Sequence, residues 1–161
     1  MAKPNKEHLS LTPLILAAKL GYMEAVDLLL SSESVRVSYR NRLEKSAFSL
    51  AVAHKSVQVV ERLISKQDIN INDQSLDGDL PLTTALRSRQ SYIFQLILSN
   101  TQIDTSLRNY YGQSPLHEAV ETGDKGASKT LPSEEWELVR GWHGGVFGKL
   151  HDALEIYAVV Q

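Results

Sequence analysis

The 161-residue sequence contains no cysteine, which excludes a disulfide framework and any metal site built on thiolates. Charge of neither sign dominates, since 17 Lys and Arg stand against 19 Asp and Glu and the formal net charge is -2. Residues 1–80 hold 10 charges of each sign, and residues 81–161 hold 7 basic and 9 acidic ones. Neither half therefore has the basic excess that binding to nucleic acid or to an anionic membrane requires.

Long apolar stretches are also missing. The longest apolar runs fall far short of the roughly 20 residues that a membrane-spanning helix needs. The N-terminus is polar and lacks the apolar core of a secretory signal. Together with the lack of cysteine, these features predict an intracellular protein, cytoplasmic or nuclear, with no membrane partner.

The short motifs that mark many catalytic sites are absent as well. The sequence contains no Gly-x-Ser-x-Gly, no His-Glu-x-x-His and no phosphate-binding loop. Its five histidines are scattered at spacings unsuited to a metal site, and the glycine-rich stretch 141–148 follows no predicted strand. We therefore predict a non-enzymatic protein with no catalytic residues, metal, cofactor or small-molecule substrate.

What the sequence does contain is one pattern that recurs four times at a spacing of 34 residues. The copies begin at Thr12, Ser46, Leu80 and Ser114 and keep one register throughout. In the first copy, Thr12 is a predicted N-cap before a proline in the first helical turn, and Gly21 suits a helix end. A fixed period of this length is typical of a repeat array.

Each of the first three copies contains two short helical segments and an extended connection, whereas in the fourth copy the pattern ends at Gly123, before a second helix. The first copy predicts a helix from Thr12-Pro13 to about Leu20 and a second helix over residues 23–30. The next copies predict helix pairs at 48–54 and 57–64, and at 81–87 and 92–98, with turns at 41–45, 77–78 and 110–112. The fold class that follows is all-α, built from helix–turn–helix units with hairpin-like fingers between them.

The fourth copy shows which family this pattern is similar to. Residues 112–123 read Gly-Gln-Ser-Pro-Leu-His-Glu-Ala-Val-Glu-Thr-Gly. This segment resembles the Gly-x-Thr-Pro-Leu-His-x-Ala-x-x-x-Gly signature of the ankyrin repeat, with Ser for Thr, and residues 12–21 fit the same signature. The tetratricopeptide repeat has a similar period, but its Trp-x-x-Leu-Gly and Tyr landmarks are missing. The resemblance covers about residues 10–125 and implies an ankyrin-repeat solenoid.

Copies two and three depart from the family pattern. Lys55 and Arg89 occupy the position of the glycine that separates the two helices, and Leu80 replaces the capping Thr. These departures lower the expected local stability without changing the predicted fold.

The organisation of the chain follows from where the pattern starts and stops. We predict a polar lead-in at 1–11, the repeat array at 12–125 and a divergent segment at 126–161. In the divergent segment, Phe147, Leu150, Leu154 and Tyr157 fall on one face of a predicted last helix. Because the end of a stacked array leaves an apolar face open, we expect this segment to act as a cap. The alternatives are a flexible tail or a partner-binding segment.

The resemblance implies a function in binding another protein. In the family, the turn fingers and the exposed side of the inner helices line one concave groove that binds proteins. Carried over position by position, the finger contacts are Arg42, Leu43, Lys45, Leu76, Asp77, Asp79, Tyr110, Tyr111 and Gln113, and the inner-helix contacts are Lys19, Leu20, His54, Arg87 and Glu121. The alternative functions are an adaptor whose segment 131–161 recruits a second partner, or a truncated form of a longer repeat protein.

The adjacent tyrosines are the strongest of these candidates, since aromatic residues are enriched in binding hot spots. Leu43 and Leu76 are also poorly explained by solvation alone, although packing against a neighbouring finger would account for them. Charge along the predicted groove changes from basic to acidic and then gives way to aromatic residues. A partner of mixed charge with an apolar anchor would match it.

Overall fold

A computed structural model describes residues 11–132, a range that contains eight α-helices. Their bounds are α1 Pro13–Leu20, α2 Met23–Leu30, α3 Ala47–Ala53, α4 Val57–Ile64, α5 Pro81–Arg87, α6 Ser91–Leu98, α7 Pro115–Thr122 and α8 Lys125–Thr130. Between the described helices there is an isolated antiparallel bridge from Arg40 to Ser46. The predicted lead-in up to residue 10 and the predicted last helix near 147–157 lie outside the described residues. The helix pairs predicted from the 34-residue period are confirmed.

The described residues form two compact units, an N-terminal unit up to residue 81 and a C-terminal unit from residue 82. In the N-terminal unit, α1 packs against α2 and α3, α3 packs against α4, and α2 contacts α4. The core of this unit includes Ile15, Ala18, Phe48 and Leu63, all almost fully buried. Each large apolar side chain buried in this way contributes about 1.5–3 kcal/mol, which is what holds together helices too short to be stable alone.

The helix ends have the caps that the sequence predicts. The hydroxyl of Thr12 accepts the backbone N–H of Ile15 at 3.3 Å, and that of Ser46 accepts the N–H of Ser49 at 3.2 Å. Gly21 ends α1 in the left-handed conformation, with φ 71°. The predicted N-cap at Thr12 and helix end at Gly21 are therefore confirmed. Leu80, which cannot cap a helix, is instead buried.

The C-terminal unit buries Leu86, Phe94, Ile97 and Leu116, and its helices α7 and α8 pack together. Helix α8 continues the array beyond Gly123, where the apolar pattern ends. It begins because the Asp124 carboxylate accepts the backbone N–H of Ala127 at 2.9 Å. Its sequence, Lys-Gly-Ala-Ser-Lys-Thr, contains no large apolar residue, so hydrophobic periodicity could not reveal it.

Among residues 11–132, three non-glycine residues have a left-handed backbone: Glu44, Lys55 and Arg89, with φ of 56°, 61° and 54°. Lys55 and Arg89 stand where Gly21 and Gly123 end their helices, and both of those glycines have φ 71°. A residue with a Cβ is strained in this conformation by about 1–2 kcal/mol. The repeat thus places Lys55 and Arg89 in a left-handed conformation that favours glycine.

We expect Lys55→Gly to raise the free energy of unfolding by about 0.5–1 kcal/mol, because it removes this strain but adds chain entropy to the unfolded state. Urea denaturation followed by circular dichroism measures the change. Lys55→Ala is the matched control: it removes the charge and keeps the strain, so it should not stabilise the protein. Equal stabilisation by both variants would show that charge, rather than backbone conformation, is responsible.

At the start of α7, Ser114 and His117 form a reciprocal cap. The backbone N–H of Ser114 donates to Nδ1 of His117 at 3.2 Å, and the Ser114 hydroxyl lies 2.9 Å from the same nitrogen. Burial, followed by the nearby Arg108 guanidinium, lowers the pKa of His117 to about 4. The imidazole is therefore neutral near pH 7, as its role as a hydrogen-bond acceptor requires.

This lowered pKa makes stability depend on pH. An unfolded chain takes up a proton on His117 near pH 6.5, whereas the folded protein resists until about pH 4, so stability falls as pH drops between these values. We expect wild type to lose about 2 kcal/mol more than His117→Gln between pH 7 and pH 5, since glutamine can keep the cap without titrating there. Urea denaturation at both pH values measures this difference, and identical losses would contradict it.

Candidate functional site

Three turns with the same construction carry the predicted finger contacts: finger 1 (41–45), finger 2 (75–79) and finger 3 (109–113). In each finger, the backbone N–H of the first residue donates to the carbonyl of the fifth, at 2.9–3.0 Å. A side chain at the first position reinforces the turn. The Oδ1 atoms of Asn41 and Asn109 each accept two further backbone N–H groups, and the Ser75 hydroxyl accepts one. These bonds close the turn and leave the second and third residues at its tip.

The tip positions hold the largest exposed side chains of the fingers. Tyr110 is 65% exposed and Tyr111 is 81% exposed at the tip of finger 3, in the C-terminal unit. Leu43 of finger 1 and Leu76 of finger 2, both in the N-terminal unit, are 43% and 53% exposed. Arg42, the other tip residue of finger 1, is also exposed.

Fingers 1 and 2 are joined to each other. The backbone N–H of Leu76 donates to the carbonyl of Leu43 at 3.0 Å, and Nζ of Lys45 lies 3.2 Å from the Asp77 carboxylate. The Arg40 guanidinium donates to the backbone carbonyls of Glu44 in finger 1 and Gln74 beside finger 2. The two leucines therefore sit on connected backbones, yet roughly half of the surface of each residue remains exposed.

The predicted inner-helix contacts of the N-terminal unit lie at helix ends. Lys19 and Leu20 occupy the last turn of α1, and His54 follows α3 as its C-cap. Partial burial, then the charges of Lys19 and Lys45, lower the pKa of His54. These cations therefore create a positive potential at His54, to which Lys45 of finger 1 contributes.

In the C-terminal unit, several predicted contacts are tied to neighbouring residues. Gln113 accepts from the Asn109 amide at 2.9 Å and donates to the Glu121 carboxylate at 3.0 Å. Arg87 donates to the buried carboxylate of Glu118 at 2.8 Å. Exposure thus singles out Tyr110 and Tyr111, whereas Arg87, Gln113 and Glu121 also help to hold the unit together.

Sequence reasoning missed the residues that build the turns. Asn41, Ser75 and Asn109 recur at the 34-residue period, and Asn and Ser are residues whose side chains bond to nearby backbone in turns. The recurrence of Asn or Ser at this period could therefore have identified the three turns from the sequence. It also missed Leu16, which is 41% exposed four residues before Leu20 and so shares its side of α1.

Two cavities lie apart from these positions. One in the N-terminal unit, of about 290 Å³, is lined by residues including Pro13, Leu29 and Tyr39. One in the C-terminal unit, of about 380 Å³, is lined by residues including Arg89, Thr122 and Lys125. None of the fourteen predicted contact residues lines either of these two cavities. Among residues 11–132 there is no group of three or more His, Asp or Glu side chains placed to hold a metal ion.

Comparison with known proteins identifies the repeat. The sequence profile of the family described as "Ankyrin repeats (3 copies)" matches residues 2–75 and 48–135. A curated relative, alpha-latrotoxin-Lg1a from Latrodectus geometricus, is 32% identical over 90 residues. The matched part is 55% of this chain and 6% of the toxin, so the chain spans a small fraction of that relative's length. Within the described part of the chain, the helices are too short or too polar to cross a membrane.

The pair formed by Arg87 and Glu118 supports a prediction about stability. We expect Arg87→Met to lower the free energy of unfolding by about 1–2 kcal/mol, because it leaves the Glu118 carboxylate buried without the guanidinium. The control is Arg62→Met, which breaks the solvent-exposed pair with Asp27 and should cost less than about 0.5 kcal/mol. Urea denaturation measures both variants, and equal costs would show that the burial of Glu118 adds nothing.

Proposed function

The chain belongs to the ankyrin-repeat family, and we propose that it binds a partner protein through its finger tips and the exposed ends of its inner helices. Ankyrin repeats are generally protein–protein interaction modules and typically non-enzymatic. The observation that carries the proposal is the pair Tyr110 and Tyr111, whose side chains are 65% and 81% exposed on a closed turn.

Two physical properties favour this tip as a contact. Tyrosine can bury a large apolar area and still form a hydrogen bond through its hydroxyl. It therefore suits a surface that is solvated in the free protein and partly desolvated in a complex. The backbone below the tyrosines is already ordered by the bonds to Asn109 and by Gly112, whose φ is 75°. An ordered turn loses less entropy on binding than a loose one.

The other predicted contacts fit the same role within their own units. Leu20, Leu43 and Leu76 provide exposed apolar area in the N-terminal unit, next to cations. We place the protein in an intracellular compartment, a location supported by its lack of cysteine. The adaptor hypothesis rests mainly on residues 133–161, outside the described part of the chain, and stays a prediction.

We expect the tyrosines to be needed for capture of the partner. Full-length protein carrying a photo-crosslinking phenylalanine at position 110 or 111 should form adducts in source-cell lysate, which mass spectrometry identifies. Tyr110→Ala/Tyr111→Ala should then reduce capture of the same protein by about tenfold or more, as expected for loss of a hot spot.

The matched control is Tyr92→Ala. Tyr92 is 59% exposed on α6 of the same unit but lies outside the fingers, so this variant should capture the partner normally. The proposal fails for finger 3 if the double variant, folded as judged by circular dichroism, captures the partner as well as wild type does.

A further inference from the structure

The cavity of about 290 Å³ in the N-terminal unit lies at the first helix pair of the array. Its apolar lining comes from Pro13 and Leu14 of α1, from Leu29 of α2, and from Val35 in the connection that follows. This volume is close to the lower end of the roughly 300–1,000 Å³ that small-ligand sites occupy. The cavity can therefore enclose a small molecule.

The repeat explains why there is a cavity here. In the second copy, Leu63 and Ile69 are 0% and 5% exposed, where α1 and α2 pack against α3 and α4. Their counterparts 34 residues earlier, Leu29 and Val35, are only half-buried, and no helix among residues 11–132 precedes α1 to cover them. Motifs in the sequence gave no reason to expect a small-molecule ligand, because the cavity depends on the surface that the first copy leaves uncovered.

Charge on the cavity lining has one sign. Arg36 is the only charged residue among the described residues that line the cavity. Neither Arg36 nor Glu33, the nearest acidic residue in the sequence, has an ion-pair partner among residues 11–132. The Arg36 guanidinium therefore offers a positive charge and a set of N–H donors to whatever enters the cavity.

The other polar side chains on the lining are hydroxyls. Tyr39 is 42% exposed, and a phenol can donate a hydrogen bond. The Thr12 hydroxyl accepts the backbone N–H of Ile15 and keeps its own proton to donate. Apolar side chains, one cation and hydroxyl donors together match a molecule that carries a hydrocarbon group and a carboxylate.

We propose that this cavity binds a small monocarboxylic acid, with its hydrocarbon group against Leu29 and Val35 and its carboxylate facing Arg36. The site is separate from the proposed partner contacts, none of which lines the cavity. Burial of the hydrocarbon supplies affinity, and pairing with the guanidinium selects an acid over an amide or an amine. The lead-in at 1–10 matches Arg36 less well, because it contains two lysines and one glutamate.

The test uses isotope-labelled full-length protein, two-dimensional NMR, and three probes of similar shape: phenylpropanoate, phenylpropanamide and phenylpropylamine. Phenylpropanoate should give saturable shifts and bind about three- to tenfold more tightly than the amide. The amine should bind more weakly than the amide, because its charge faces Arg36. Raising NaCl from about 50 to about 500 mM should reduce the preference for the acid.

Variants of the protein assign the binding to the cavity. Arg36→Gln should remove most of the preference for the acid over the amide. The matched control is Arg42→Gln, which removes an exposed cation outside the lining and should keep that preference.

A second pair of variants tests the apolar part of the site. Val35→Phe fills the cavity and should weaken binding of both acid and amide by about tenfold or more. The control is Leu28→Phe, since Leu28 is 74% exposed on α2 and lies outside the lining, and it should bind normally. Circular dichroism checks the fold of each variant. Because Arg36 is exposed, its substitution tests the proposal even if Val35→Phe fails to fold.

Three results with phenylpropanoate would overturn the proposal: no saturable shift, affinity equal to that of the amide, and an unchanged preference in Arg36→Gln. Two more would overturn it by assigning the cavity to another occupant. Saturable binding that appears only after deletion of residues 2–10 would identify the lead-in. Tighter binding by a peptide with a free C-terminal phenylalanine would identify a protein terminus. Crosslinking at finger 3 is measured separately, so the failure of this proposal and that of the proposed function are distinguishable.

Discussion

Packing between short helices is the constraint on which the rest of the described structure depends. Helices of six to eight residues do not persist alone in water. In the N-terminal unit, α1 and α3 bury their apolar faces against each other, and α2 and α4 pack behind them. The helix pairs recur at a fixed period along the chain, so each connection begins and ends at equivalent places and the fingers recur every 34 residues.

The recurring backbone leaves the finger tips open to variation. Each turn is closed by a bond between its first and fifth residues and by a side chain at the first position. None of these bonds involves the side chains of the two tip residues. The tips can therefore read Arg-Leu, Leu-Asp and Tyr-Tyr on one frame, so the chemistry of each tip can differ without a change of fold.

Much of the fold was predictable from spacing, because helix capping and apolar periodicity are local properties that the sequence states directly. The bounds of α2 and α4 follow from apolar spacing, and the left-handed end of α1 at Gly21 follows from the helix-end glycine. Helix α8 was not predictable, since its short segment of small and polar residues has no apolar stripe. Three of the predicted contacts in the C-terminal unit proved to be engaged with neighbours, and a pairing across 31 residues such as Arg87 with Glu118 leaves no local signal.

Charge pairing between residues far apart in the sequence also leaves no local signal. A count along the chain gives fingers 1 and 2 a mixed character, since Lys45, Asp77 and Asp79 all belong to them. In the folded protein, Lys45 and Asp77 lie 3.2 Å apart and form an ion pair between fingers 1 and 2. An ion pair between partly exposed groups adds little stability, but it partly cancels the field of both charges. A count of charged residues along the chain therefore does not show which charges are paired in the folded protein.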